Sequence, residues 1–335
     1  MKAIELQAFG DDGLRTVEHA VPRPGAGEVL LRTVAASLNY RDLEIRDGRY
    51  AMPVALPLVP LSDAVAEVVE LGAGVQDLRP GDRVCPTFFP DWRDGAFDAR
   101  YFQRQRGGNV AGVQREYMVL PAGELVRAPH HLGAEAATLP IAGLTAWSAL
   151  TEAGLRPGQT LLVQGLGGVS LFALQFGRMF GARTVVVASS AEKAQRAREL
   201  SASEVIDASA HPQWGAQVLE HTDGRGADLV VEVGGRASWS QSIAALAVNG
   251  TIAVVGYASG AELAFDLRQL FIAKRARLQG HTVGSRRAFE DMVRAMEQAR
   301  IEPVIDSRFA LDDARQAYAR LASGGTLGKV LFEFG

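Results

Sequence analysis

Along the first third of the chain the apolar positions come in short runs that alternate with polar ones and stop at Gly or Pro. Residues 28–35 (EVLLRTVA) alternate loosely and residues 64–70 (AVAEVVE) cleanly; Asp82-Arg83-Val84 follows the Pro80-Gly81 turn, and residues 115–120 make a further run. Alternation with period two marks half-buried strands, and short strands broken by turns predict a small β-rich barrel or sandwich. Between Pro86 and Val113 the alternation lapses into a segment rich in Phe, Trp, Tyr, Arg and Gly, which predicts a long loop or lobe.

Near Pro129 the pattern changes. Residues 135–153 read as helix, ending at Gly154, and from Thr160 strand and helix alternate. Strands are expected at 161–163, 184–188, 204–207, 228–233 and 251–255, with helices at 169–180, 191–200 and 239–248. Such alternation predicts βαβ units around a parallel sheet. Beyond Lys274 come another strand, helices near 289–299 and 311–322, and a last strand at 329–334. The expected fold is α/β: a β-rich domain built from both termini (1–128 and 274–335), interrupted by a doubly wound domain (129–273).

Composition narrows the function. With 35 basic and 38 acidic residues the net charge is −3, which leaves no electrostatic footprint for nucleic acid. The single cysteine, Cys85, excludes an internal disulfide and a cysteine-rich zinc site. No run reaches the ~18 apolar residues of a membrane helix, and residues 1–5 do not begin a signal peptide, so a soluble, cytoplasmic protein is expected. Glycine is in excess, 36 of 335 residues. The glycines fall within apolar runs, which points to tight turns and close backbone approaches.

The most informative glycines lie in Gln164-Gly165-Leu166-Gly167-Gly168-Val169-Ser170, after an expected strand and before an expected helix. That context is the one a dinucleotide-binding turn requires. Gly165 makes the tight turn, and Gly167 and Gly168 let backbone approach a pyrophosphate. Val169 opens the helix whose N-terminus receives the phosphate, and Ser170 stands where Gly or Ala is usual. The next strand ends Ala188-Ser189-Ser190-Ala191-Glu192-Lys193, with no carboxylate at its tip to bind a ribose 2′-hydroxyl. Ser189, Ser190 and Lys193 instead suit a 2′-phosphate, favouring NADPH over NADH. The competing reading makes Ser190 a helix cap and Lys193 a solvated cation.

These features, with Ser37-Leu38-Asn39-Tyr40-Arg41-Asp42, Gly81-Asp82-Arg83-Val84, Leu139-Pro140-Ile141-Ala142-Gly143-Leu144-Thr145-Ala146 and Gly328-Lys329-Val330, resemble the medium-chain dehydrogenase/reductase superfamily over nearly the whole chain. Within it the chain is similar to the zinc-independent quinone oxidoreductase and enoyl reductase-like branch. The resemblance implies a GroES-like catalytic domain, a Rossmann domain and a homodimer. Zinc alcohol dehydrogenases carry a ligand cysteine where this chain has Asn39, and Gly-His-Glu where it has Leu61-Ser62-Asp63. Their structural zinc lobe falls in 86–113, here without cysteine. No zinc is expected.

By the same resemblance, Asn39 lies beside the nicotinamide and Tyr50 at the pocket mouth, and these two are the candidate catalytic donors. Asp42 is expected to bond backbone near Asn39. Thr145, Gly234, Tyr257 and Arg286 are expected along the cofactor, beside Gly165, Gly167, Gly168, Val169, Ser189, Ser190 and Lys193. Phe88, Phe89 and Trp92, with Phe97, Tyr101 and Phe102, either wall an apolar substrate pocket or form a satellite core. The expected activity is NADPH-dependent hydride transfer to a hydrophobic α,β-unsaturated carbonyl or quinone. An alcohol or aldehyde dehydrogenase and a non-catalytic NADPH-binding redox sensor are the alternatives.

Overall fold

In this computed structural model all 335 residues are described. The chain forms two compact units, one made of Met1–Leu144 with Val283–Gly335, the other of Thr145–Thr282. The boundaries therefore fall 16 residues later at the first junction and nine later at the second than the change of pattern suggests. Residues 134–138 form a 3-10 turn, and Cys85 Sγ contacts Ala136 O, tying this stretch to the β-rich unit. At the second junction, residues 277–280 pair into the parallel sheet.

The first unit opens with β1 (Lys2–Leu6) and β2 (Leu14–Glu18), an antiparallel pair. After them come β3 (Glu28–Ser37), helix α1 (Tyr40–Arg46), β4 (Asp63–Leu71), β5 (Arg83–Pro86), β6 (Tyr117–Pro121) and β7 (Leu125–Arg127). The second unit holds α2 (Leu144–Glu152, its first residue in the first unit), β8 (Thr160–Gln164), α3 (Gly168–Met179), β9 (Arg183–Ala188) and α4 (Ala191–Glu199). It continues through β10 (Glu204–Asp207), α5 (Trp214–His221), β11 (Ala227–Glu232), α6 (Trp239–Ala245), β12 (Leu246–Val254) and β13 (Arg277–Gly280). The chain returns to the first unit with α7 (Arg286–Ala299), β14 (Ile305–Ala310), α8 (Ala314–Ala322) and β15 (Lys329–Glu333).

In the first unit a sheet runs β14-β15-β3-β4-β5-β7, with β6 also on β3. Its core includes Leu31, Leu38, Ala64, Met118, Tyr318 and Phe332. The register places functional residues together. Ser37, the last residue of β3, faces Asp63 of β4 on one side and Leu331 of β15 on the other. The chain ends that leave this point carry Asn39, Asp63 and Lys329, so a β-pairing pattern gathers residues from three distant stretches of sequence.

In the second unit six parallel strands run β10-β9-β8-β11-β12-β13 around a core that includes Leu162, Val185, Trp214, Val230 and Ile252. The order reverses between β8 and β11, and the crevice at the carboxyl ends of strands at such a point is where doubly wound sheets bind ligands. Two expectations change here. The expected helix over 135–153 becomes a 3-10 turn, a π-type turn at 139–143 and then α2, because Pro140 has no N–H for an α-helical ladder. The expected helix over 239–248 ends at Ala245, since Leu246 pairs with Ala227. No helix is long and apolar enough to cross a membrane.

Candidate functional site

The cofactor cradle is built at the carboxyl end of β8. Gly165 adopts φ +69°, a left-handed conformation that favours glycine. Gly167 is exposed at φ −73° and caps α3. A Cβ on either glycine would meet nothing within 4 Å. The space in front of the turn is thus open backbone, of the kind a pyrophosphate approaches. The first N–H groups of α3, from Gly168 and Val169 onward, have no acceptor within the helix and are oriented for an anion. Ser170 is buried, and its hydroxyl donates to Gln164 O at 2.6 Å, so the small residue locks helix to strand.

At the tip of β9, Ser189 is exposed and Ser190 caps α4, its Oγ accepting from Lys193 N at 3.2 Å. Ser190 therefore has the capping role, while Ser189 and the half-buried Lys193 stand beside it. At the tip of β11 is a group not singled out from the sequence, Glu232. It is fully buried and accepts from Gln164 Nε2 (2.9 Å), Ser238 Oγ (2.6 Å), Ser242 Oγ, and the N–H groups of Gly234 (2.8 Å) and Gly235 (3.0 Å). Five donors on one carboxylate fix the Gly234-Gly235 turn. A signal for it exists in the sequence: a carboxylate after the apolar run Leu229-Val230-Val231, two residues before a Gly-Gly pair. Gly235 lies against the backbone of Tyr257, where a Cβ would come within 2.9 Å, and Tyr257 itself is exposed. Thr145 is buried in the first turn of α2.

In the first unit the strand register creates a buried polar nest. Asn39 is the N-cap of α1 and has extended backbone. Its N–H donates to Asp42 Oδ2 at 2.8 Å, as expected of Asp42. Its side chain reaches across to the strands: Nδ2 donates to Asp63 Oδ2 at 2.9 Å, and Oδ1 accepts from Lys329 Nζ at 2.5 Å. Lys329 Nζ also donates to Leu38 O at 2.5 Å and lies 3.9 Å from Asp63 Oδ2. Ser62 Oγ donates to Asp63 Oδ1 at 3.2 Å. Burial raises the Asp63 pKa to about 6, against the pull of Lys329 and the Asn39 amide, and lowers that of Lys329. Burial also raises the pKa of Asp42, and Cys85, buried near Asp63, is held as the thiol.

Tyr50 donates its hydroxyl proton to Gln105 Oε1 at 2.6 Å. The Arg41 guanidinium lies 4.9 Å from the ring centroids of both Tyr50 and Phe88. The lobe beyond β5 is anchored by a buried ion pair, Arg106 to Glu124 at 2.5 Å. Phe88, Phe89 and Trp92 are buried, and Phe89 and Trp92 pack edge-on against Phe97. These rings fill the lobe's own core, the satellite-core alternative, and they supply no argument for an apolar substrate. Arg286 starts α7; its side chain donates to Leu125 O at 3.3 Å and pairs with Glu290 at 3.1 Å.

Comparison with known proteins adds the family. Residues 25–130 match the alcohol dehydrogenase GroES-like domain, and residues 168–298 match the zinc-binding dehydrogenase family. A zinc-type alcohol dehydrogenase-like protein of Schizosaccharomyces pombe is 40% identical, covering 97% of this chain and 96% of its own. A quinone oxidoreductase of Pseudomonas aeruginosa is 31% identical over 98% of both chains. A mycobacterial protein solved with NADPH superposes with a TM-score of 0.82 at 29% identity, covering 99% of this chain and all of its own. The second family description implies zinc. The donors present do not fit one: Asn39, Ser62 and Asp63 offer a single carboxylate, and the Lys329 ammonium is bonded to the Asn39 oxygen. No group of three or more His, Cys, Asp or Glu side chains is placed to hold a metal.

Proposed function

Because this chain belongs to the medium-chain dehydrogenase/reductase superfamily, it is an oxidoreductase that works with a nicotinamide cofactor, and we propose that it is a zinc-independent, NADPH-dependent reductase of α,β-unsaturated carbonyls or quinones. The observation that carries this reading is the Asn39 amide held between Lys329 and Asp63. Oxidising a simple alcohol requires an electrophile strong enough to acidify the hydroxyl, the task zinc performs. A neutral amide cannot do this. It can stabilise negative charge on an oxygen, by a few kcal/mol per well-placed donor. A conjugated acceptor needs no more than that.

Bound NADPH supplies the hydride. As it reaches the β-carbon of an enone, charge builds on the carbonyl oxygen, and the Asn39 amide N–H donates to that oxygen. Tyr50, whose hydroxyl rests on Gln105 Oε1, would turn from that acceptor to give its proton to the α-carbon, and the phenolate left behind would regain a proton from solvent. The open glycine turn and the exposed Ser189 beside Lys193 support a phosphate-bearing cofactor. The cytoplasm is the proposed compartment.

The test is NADPH consumption against matched pairs, an enone or quinone and its saturated ketone, with metal analysis of the same sample. Consumption with only the unsaturated member, and no stoichiometric zinc, is the expected result. Equal rates on saturated ketones with one zinc per chain would establish the dehydrogenase reading, to which the name of the fission-yeast relative points. Binding of NADPH without turnover of any pair would move the protein to the sensor class.

A further inference from the structure

Lys329 has no part in the chemistry proposed so far, although it is a lysine more than nine-tenths buried in a β-sheet. We propose that Lys329 is a positioning residue: with Asp63 it locks the Asn39 amide in one orientation and strengthens it as a hydrogen-bond donor to the substrate oxygen. The inference rests on the reading of Asn39 as that donor.

Donor and acceptor inventory decides the orientation. An asparagine amide has an oxygen end and a nitrogen end of nearly equal shape, and it can flip unless its partners tell them apart. Here the partners are unequivocal. An ammonium can only donate, and it sits 2.5 Å from Oδ1; the carboxylate of Asp63 accepts at 2.9 Å from Nδ2. A flip would set nitrogen against ammonium and oxygen against carboxylate, both repulsive in a buried setting. Lys329 is itself held in place by Leu38 O, so its position does not depend on Asn39 alone. Nδ2 carries two hydrogens and Asp63 takes one. The second is left unused, on a residue that retains 9% of its exposure. A cation on the amide oxygen also draws electron density from the nitrogen, and in a low-dielectric interior such chains of hydrogen bonds reinforce one another. The ammonium on Oδ1 thereby offsets the carboxylate on Nδ2 and keeps the second N–H a competent donor, acting on the substrate through Asn39 without touching it. The strand order accounts for the position of Lys329, since β15 lying against β3 brings it to the end of that strand.

The experiment is a double-mutant cycle on the full-length protein with NADPH and the best enone or quinone acceptor. Asn39→Ala, Lys329→Met, the two combined, and Lys329→Met/Asp63→Asn are compared for kcat, acceptor KM and NADPH affinity. The last variant removes both charges of the Lys329–Asp63 pair together and leaves Asp42 paired with Arg41, so it is the variant to use if Lys329→Met alone fails to fold; the Asn39→Ala substitution is then combined with this charge-neutral pair. Asn39→Ala is expected to lower kcat about a hundredfold, and Lys329→Met or the charge-neutral pair roughly tenfold or more, with NADPH affinity little changed. In the combined variants kcat is expected to fall no further than in Asn39→Ala alone, because Lys329 has no route to the substrate except through Asn39. Losses that multiply in the combined variant would overturn the inference, as would a Lys329→Met enzyme with wild-type kcat. A wild-type protein without activity on any conjugated acceptor, or an Asn39→Ala variant with unchanged kcat, would instead refute the underlying reading.

Discussion

At Asp63 opposing influences meet. Burial raises its pKa to about 6, while Lys329 and the Asn39 amide oppose that rise. The folded protein then binds this proton more tightly than an unfolded chain, whose aspartate titrates near ~3.9. The linkage has a definite sign: the stabilisation from protonation is full below about pH 4 and is lost as pH rises through about 6, with about 3 kcal/mol as its scale. Denaturant unfolding of wild type and Asp63→Asn from pH 4 to 7 should show the wild-type advantage shrinking with rising pH; a constant difference would contradict the shift. Lys329→Met poses the converse problem. It leaves Asp63 and Asp42 buried without their ammonium, and we expect a loss of about 3–5 kcal/mol in the same measurement. The residues of this nest were individually legible, Asn39 from its motif and Lys329 from Gly-Lys-Val. Their hydrogen bonds were not, since 290 residues separate Lys329 from Asn39 along the chain.

The elements around the cofactor turn separate binding from stability. A Cβ on Gly167 meets nothing within 4 Å, and its φ suits any residue, so Gly167→Val should leave the melting temperature nearly unchanged. It should weaken NADPH binding at least tenfold, because the new side chain projects into the space a pyrophosphate needs. Calorimetric titration beside a thermal melt checks both halves of that expectation. Ser190 is the cap of α4, so the cofactor preference is assigned to Ser189 and Lys193. The double alanine variant should lose NADPH affinity while NADH affinity holds, and equal loss for both would remove the 2′-phosphate argument. Most elements here were readable, because a glycine turn between a buried strand and a helix is a local pattern. The role of Glu232 was only partly so: Gly234, Gly235, Ser238 and Ser242 lie close to it in sequence, but Gln164 reaches it only through the β8–β11 pairing.

Over the whole molecule the parallel sheet ends at β13, whose outer edge has no partner strand. Leu278 on that strand is 37% exposed, and Leu267 and Ile272 just before it are 60% and 69% exposed. A free edge with apolar residues on and beside it is a template for pairing with another chain. We therefore propose a homodimer in which a second copy covers this edge. Light scattering should give twice the chain mass for wild type, and Ile272→Lys/Leu278→Lys should shift it toward the monomer; a monomeric wild type at micromolar concentration would refute the assignment.

Fold class, the alternation of strands and helices in the second unit, and the glycine turn were all settled by the amino-acid sequence. Each depends on the periodicity of side chains within a few turns of chain, and that is set by backbone geometry. The sequence also shows which residue types stand at Asn39, Ser62 and Asp63, and the expectation of a zinc-independent site rests on them. Three-dimensional pairing set the rest. It put the aromatic side chains of the lobe into a core of their own, moved the unit boundaries to follow strand pairing, and made the Asn39 side chain a bridge between Lys329 and Asp63. The bridge follows from sheet register, a property of strands far apart in sequence that decides which partner a buried polar side chain meets. The lobe's rings pack on one another because each buries apolar area that no strand pairing covers.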